Sequence, residues 1–205
     1  MILDFETTSD GGDNDFPFEI IQFGVVVFDV KANQVRSDLS FNTFVRPVLN
    51  PHLTVHCSNF TGIKQQSLDI ADTFPTVYDQ FLEWLRSNNF VERQFAIVCD
   101  GRQDMWRIAQ YQFKLVNIIL PAFFRQYINL WRVFQIEPNK RGRKVLTEGT
   151  NIEKMAEYYK LDAVGRAHDS FNDSKTLAYI AKAMLETGAT VTINEVLTCF
   201  AIGGE

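Results

Sequence analysis

The chain lacks any apolar run approaching the ~20 residues of a membrane span, and no basic-then-apolar signal segment opens it. No membrane association is expected, and the sequence reads as intracellular, cytoplasmic and/or nuclear. Cysteine is scarce. Cys57, Cys99 and Cys199 are odd in number, scattered and without C-x-x-C spacing, which fits a reduced compartment and argues against a structural zinc site. Basic residues are in deficit, with 20 Lys and Arg against 25 Asp and Glu, for a net charge of −5. A protein that merely coats nucleic acid usually carries the opposite sign. The deficit is compatible with a metal-dependent enzyme, because two bound divalent cations would bring −5 to about −1. No internal repeat or clear linker interrupts the chain, so residues 1–205 are expected to form one domain with a substantial core.

What is present alternates between strand and helix patterns. Met1-Ile2-Leu3 is a short apolar run, and a polar, glycine-containing loop follows over 7–15. Residues 20–28, rich in β-branched and aromatic side chains, predict a long strand, and the alternation over 35–45 predicts a third strand paired with it. Pro47 and Asn50-Pro51 end that meander, and 54–72 is mixed and polar. Pro75 opens an amphipathic helix with Val77, Phe81, Trp84 and Leu85 on one face. Residues 95–99 read as a buried strand, a second helix starts near Gln103, and 127–130 predicts another strand. The basic stretch 138–144 is a solvated loop or import signal on one reading and a phosphate contact on the other. Thr150-x-x-Glu153 and Thr192-x-x-Glu195 have the capping-box pattern, the second for a short final helix. A long helix runs from about Asp169 to a stop at Gly188, with Leu177, Ile180, Ala181 and Met184 inward.

The acids are placed less evenly than the apolar residues. Asp4-Phe5-Glu6 closes the first apolar run, and in a strand Asp4 and Glu6 share a face while Phe5 turns into the core. Two like charges so close make sense with a cation between them or with one protonated. The tripeptide alone is weak, because 14 Asp and 11 Glu in 205 residues produce an Asp-x-Glu about 0.7 times by chance. Asp104 stands at the N-terminal end of its helix's buried stripe, as a dipole-favoured charge or as an inward ligand. Asp173 occupies the same position on the long helix, with His168 five residues before it.

The order of these residues resembles the DEDDh exonucleases, the histidine-containing branch of 3′→5′ exonucleases related to the DnaQ proofreading subunit and RNase T. Leu3-Asp4-Phe5-Glu6-Thr7-Thr8 resembles the first motif, Asp100-Gly101-Arg102-Gln103-Asp104 the second, and 165–173 with His168 and Asp173 the third. The stretches 44–47, Leu53-Thr54, Phe60-Thr61-Gly62-Ile63 and 71–75 are similar to the Eri-like branch, within which the match looks nearest to the cell-death-related nucleases.

The resemblance implies an α/β, RNase H-like fold with a mixed five-stranded sheet flanked by helices. It implies two Mg²⁺ (or Mn²⁺) ions, a substrate of RNA and/or DNA with a free 3′ end, and release of 5′-mononucleotides. Phosphodiester hydrolysis needs an activated water and a stabilised leaving oxygen, which two metals on hard carboxylate ligands can supply. By resemblance, Asp4 bridges both ions, Glu6 and Asp173 complete the nucleophile-side metal, and Asp104 holds the second through water. His168 is then the general base. Ile63 is the expected contact of the 3′-terminal base, and the backbone around Phe5 and Thr7 that of the terminal sugar. One departure stands out: family members have several residues before the first catalytic Asp, and here three precede it, so a short first strand is expected. No second nucleic-acid module is evident. A catalytically inactive nucleic-acid-binding or interaction domain of the same fold is the competing reading, and a metal-dependent RNase H-like endonuclease is the third.

Overall fold

The structure is a computed structural model that describes residues 1–12, 16–140 (137–140 as backbone alone) and 150–197. Its organising element is strand β1 (Ile2–Thr7), whose residues alternate between two separate cores. Leu3 and Phe5 enter a core of aromatic rings, where Phe5 lies 4.8 Å from Phe23 and Phe23 lies 4.9 Å from Phe81, centre to centre. Ile2 enters the opposite core beside Val26, Val98 and Leu177. The strand period of two then carries Asp4 and Glu6 to the side of Ile2.

Strand β2 (Ile20–Asp29) pairs antiparallel with β1, placing Gly24 opposite Asp4, and β3 (Gln34–Phe44) pairs antiparallel with β2. On its other side β1 is parallel to β4 (Ile97–Cys99), which is parallel to β5 (Gln126–Asn129). The expected short first strand is seated nonetheless. Val98 N–H donates to the Met1 carbonyl at 2.8 Å, and Ile2 through Glu6 are in continuous register with β2, with a bulge before Thr7.

Among the described residues the sheet has six strands rather than the expected five, in the order β3-β2-β1-β4-β5-β6. The sixth, β6 (Glu195–Val196), lies where the second capping box predicts a helix. The reason is a contact distant in sequence. The Asn194 side chain accepts from Asn129 N–H at 2.8 Å and donates to the Asn129 carbonyl at 3.1 Å, so it imitates a strand partner. Arg132 then holds Glu195 at 3.1 Å, which removes that carboxylate from capping.

Helices cover both faces. Helix α1 (Val55–Thr61) and α2 (Gln65–Asp69) occupy the stretch read as mixed and polar, being too short for an amphipathic period to show. Helix α3 (Phe74–Ser87) and a π-helical segment, Gln103–Ala109, continuing as α4 (Gln110–Leu115), close the aromatic core. Helix α5 (Leu130–Lys140), α6 (Ile152–Tyr158) and α7 (Ser170–Glu186) close the other. The α6 cap is Asn151, which accepts from Lys154 N–H at 3.1 Å, one residue beyond the predicted Thr150. The backbone of α5 reaches Lys140, where a loop is expected from Pro138, and Arg141, Arg143 and Lys144 of the basic stretch lie outside the described residues. No helix among the described residues is long and apolar enough to cross a membrane.

One close approach fixes how α7 meets the sheet. A Cβ on Gly24 would stand 2.6 Å from the backbone carbon and oxygen of Ser170, so only glycine admits the first turn of α7 there. Ser174 Oγ donates to the Gly24 carbonyl at 3.1 Å, and Ser170 N–H donates to Gln22 Oε1 at 3.2 Å. Because Gly24 faces Asp4 across the ladder, this docking brings the start of α7 beside the first acid.

Candidate functional site

Several separate segments deliver side chains to the Thr7 end of β1. Asp4 is half-buried and Glu6 buried, both on the α7 side of the strand. Asp104, from the π-helical segment, is 4% exposed, and its Oδ1 accepts from the Phe5 N–H at 3.2 Å. That bond ties the segment to the strand between the first two acids, so Asp104 is an inward group rather than a solvated dipole charge. Asp173 lies in the first turn of α7, whose cap is Asp169, accepting from Phe171 and Asn172 N–H at 3.2 and 3.0 Å.

His168 precedes that cap with φ of 60°, left-handed for a residue with a Cβ, at a cost of roughly 1–2 kcal/mol. Its N–H donates to Asp173 Oδ2 at 2.9 Å. The imidazole is exposed and stacked on Phe60, 3.8 Å between ring centres, with His56 stacked on Phe60 in turn at 5.7 Å. Glu6, His168 and Asp173 each offer one ligand atom, all within 4.8 Å of one another.

Crowding is visible in the proton affinities. Burial, then Asp173, Asp104 and Asp169, push Glu6 from 4.5 up to about 8, and Arg166 opposes them. Burial raises Asp173 from 3.8 to about 7, against the His168 N–H and with Glu153, Asp169 and Asp100 adding. Asp4 is raised well above its ordinary value by burial, then by Asp104, Glu6, Asp100 and Asp173. Asp104 is raised by burial and Asp100, with the Phe5 N–H opposing. Such a set holds protons or takes cations.

The expected substrate contacts are placed differently from one another. The Phe5 ring is in the aromatic core, and its N–H is engaged by Asp104. Thr7 is half-buried, its carbonyl accepting from Cys57 Sγ at 3.5 Å. Ile63 is 4% exposed, inside a small core with Ile21, Cys57 and Leu68. The apolar ring that this turn shows to the site is Phe60, 46% exposed.

Three residues of the site go beyond those singled out in the sequence. Asp100 follows β4 and adds its charge to Asp4, Asp104 and Asp173. Its signal was a carboxylate ending an apolar run, as Asp4 does. Phe60 has no signal of its own. Arg166 donates through Nη2 to the carbonyls of Asn59 at 2.6 Å and Phe60 at 3.1 Å, clamping the end of α1 to the loop that bears His168. Its guanidinium fills the space over Gly62 that a side chain would take, and Gly62 turns the α1 end with φ of 76°.

With this geometry in hand, similarity to known proteins is extensive. Residues 1–181 match the family model described as Exonuclease, RNase_T. The 3′-5′ exonuclease crn-4 of Caenorhabditis elegans is 55% identical over 201 residues, covering 98% of this chain and 67% of the relative. The 3′-5′ exoribonuclease 1 of Rattus norvegicus is 33% identical over 198 residues, covering 96% and 55%. The chain therefore spans between about half and two-thirds of the length of these relatives. The crystal structure of cell-death related nuclease 4 superposes with a TM-score of 0.91 at 54% identity, over 98% of this chain and 68% of that one. The nuclease domain of 3′hExo, a DEDDh family member bound to rAMP, superposes with a TM-score of 0.85 at 32% identity, over 96% of both chains. This chain belongs to the RNase T-type exonuclease family, and its fold is the RNase H-like fold of the DEDDh members.

Proposed function

We propose that this chain is a divalent-metal-dependent 3′→5′ exonuclease that releases 5′-mononucleotides from RNA and/or DNA bearing a free 3′ end. Divalent metal use is general in the exonuclease family of this fold. One observation carries the reading. Asp4, Glu6, Asp104 and Asp173, with His168, converge from separate elements on one strand end, where burial and mutual repulsion raise the carboxyl proton affinities. The donor set suits Mg²⁺ or Mn²⁺, being carboxylate oxygens and one imidazole without a thiol. Asp4, Glu6, Asp104 and Asp173 would hold two such ions, which supply a water deprotonated near neutral pH and counter-charge for the leaving oxygen.

The protein's own groups do the rest. His168 takes the proton of the attacking water, and the ring of Phe60 behind it limits the angles it can adopt. The His168 N–H occupies one oxygen of Asp173 and leaves the other as a ligand. The strand end at Phe5 and Thr7 and the turn at Ile63 receive the terminal nucleotide, with Phe60 offering the apolar surface that buried Ile63 does not. The rAMP held by the 3′hExo domain and the exoribonuclease activity in the rat relative's name support RNA as one substrate.

Matched, 3′-labelled RNA and DNA oligonucleotides with Mg²⁺ test this. The labelled 5′-mononucleotide should be the first product, chelation should stop its release, and a circular oligonucleotide should stay intact. Cutting of the circle would make the protein an endonuclease. Near-normal cleavage by His168→Ala would remove the assigned base.

A further inference from the structure

The exposed side of the segment that carries Asp104 is unused by the proposed reaction. Asp104 and Met105 are buried, whereas Arg102, Gln103, Trp106 and Arg107 face solvent. Trp106 is 52% exposed and is the one exposed tryptophan among the described residues. Two guanidinium groups here lie over rings: Arg102 over Trp106 at 5.2 Å, and Arg107 over Phe18 at 5.0 Å. Phe18 is braced by Tyr111 at 4.6 Å. Between Phe18, Arg107 and the end of β1 opens a cleft of 380 Å³ whose walls include Thr7 and Gln103. Thr7 adjoins Glu6 and Gln103 adjoins Asp104, so the cleft begins where the carboxylate cluster ends.

The chemistry of this face selects a ligand class. The Arg107 guanidinium resting on Phe18 offers its in-plane N–H donors to phosphate oxygens, and Arg102, over Trp106, adds positive charge while also reaching the buried Tyr127 hydroxyl. An indole half in water offers a π-face, and every nucleobase can stack on one. In a chain of net charge −5, an arginine-flanked tryptophan is a local exception to the prevailing sign, and it adjoins the proposed reactive centre. Among the described residues lining the cleft, Arg107 is the one basic side chain and Asp10 the one acidic, so the face of Arg107 with neighbouring Trp106 and Arg102 is the track for a polyanion.

We propose that Trp106, with Arg102 and Arg107, binds single-stranded nucleic acid at nucleotides beyond the terminal one held at the carboxylates. The proposal rests on the exonuclease reading for the location of that terminal nucleotide. It makes affinity for long strands tolerant of sequence and sensitive to salt.

Two substrates separate the proposal from the reading beneath it: a long labelled oligonucleotide, and the p-nitrophenyl ester of thymidine 5′-monophosphate, which has no nucleotide beyond the first. Trp106→Ala should raise KM on the oligonucleotide about tenfold, from the loss of one base stack, with Trp106→Phe restoring most of it. Its rate on the ester should stay within about twofold, since the reactive centre is untouched. Arg107→Ala should lower the salt slope of oligonucleotide binding by about 0.7, one phosphate contact to a single strand. Fluorescence anisotropy of the oligonucleotide with Ca²⁺ present reads binding without cleavage. If the unmodified chain cleaves neither substrate, the exonuclease reading fails while anisotropy still decides this surface. Equal oligonucleotide affinity in Trp106→Ala and the unmodified chain would overturn the proposal, as would an equal loss on both substrates.

Discussion

The two ends of β1 bury opposite charges, and the structure treats them differently. At the Thr7 end, carboxylates from separate elements crowd together, and each raises the proton affinity of the next. At the Met1 end, one ammonium donates to the Ala96 carbonyl at 2.8 Å, beside a cavity of 720 Å³ lined by apolar groups such as Phe28 and Ile128 and, farther along, by Lys31, Arg36 and Arg93. Burial alone lowers its pKa from 8.0 to about 5, with only Cys99 opposing. The lone amine relieves its burial by losing a proton. The acids can each take a proton too, but they were brought together by a strand ladder, a π-helical segment and the glycine contact under α7. Burial of a charge is therefore not what marks the site. Convergence of like charges from distant parts of the chain is.

Neutralising one acid should have the largest effect. Asp173→Asn should lower the cleavage rate on the order of 10³-fold, since it replaces a proposed anionic metal ligand with a neutral amide, whose oxygen can still accept from the His168 N–H. The same change should leave the chelated protein as stable as before or more so, because a repelling charge leaves the cluster. Rate on a labelled oligonucleotide and Tm in chelator measure both. A variant that keeps its rate would show that Asp173 is a capping-turn residue and nothing more.

Next in size is the pH dependence of stability. Glu6 and Asp173 bind protons more tightly in the folded state, at about 8 and about 7, than their ordinary 4.5 and 3.8. Their contribution is full below the ordinary values and is lost as pH rises through the folded ones, so Tm of the chelated protein should fall from pH 5 to pH 8. Mg²⁺ should reverse the fall, because it binds the deprotonated set. At about 100 times its Kd it adds about 2.7 kcal/mol, or a Tm rise of about 5–10 °C at pH 8 and much less at pH 5. A Mg²⁺ effect independent of pH would disconnect the ions from these carboxyls.

Arg166 sharpens the same contrast at lower amplitude, as the cation that opposes the rise in Glu6. Arg166→Ala should move Glu6 further up, but it also removes a charge that repels a divalent ion more strongly than a proton, so the Mg²⁺ concentration for half-maximal rate at neutral pH should fall by about threefold. It should also release the end of α1 from the His168 loop. Arg166→Lys keeps the charge without the planar pair of donors, and should restore Mg²⁺ dependence better than rate. An equal change of both in the lysine variant would assign Arg166 to folding alone.

How much of this was legible in the sequence follows from the range of the forces involved. The alternation of Leu3, Asp4, Phe5 and Glu6 is a local pattern, and the structure keeps it. The helix stripes behind Asp104 and Asp173 are local as well. The sixth strand was illegible because it depends on Asn194 meeting Asn129 across 65 residues, and a capping-box pattern there pointed the other way. Asp100 stands within the second motif, but only the parallel pairing of β1 with β4 reveals that the two strands end on one edge. The turn at Gly62 offered Ile63 as its apolar contact, but tertiary packing buries Ile63 and turns Phe60 outward. No period in the sequence separates those two outcomes.

The smallest effect lies at the amine end of β1, and it runs opposite in sign to the acids. An amine with a folded pKa of about 5 against 8.0 is destabilising when charged, so its contribution is full above pH 8 and is lost as pH falls toward 5. Acetylating Met1 replaces the ammonium with an amide whose N–H still donates to the Ala96 carbonyl, and the adjoining cavity has room for the added carbons. The acetylated chain should therefore gain a few degrees of Tm at pH 6 and close to none at pH 9, with cleavage rate unchanged at either. Because the amine's slope cancels part of the acids' slope, removing it should also make the chelated protein's decline between pH 5 and pH 8 steeper. If acetylation instead changes Mg²⁺ dependence, the two ends of the strand are coupled, and the separation of a tolerated charge from a working one fails.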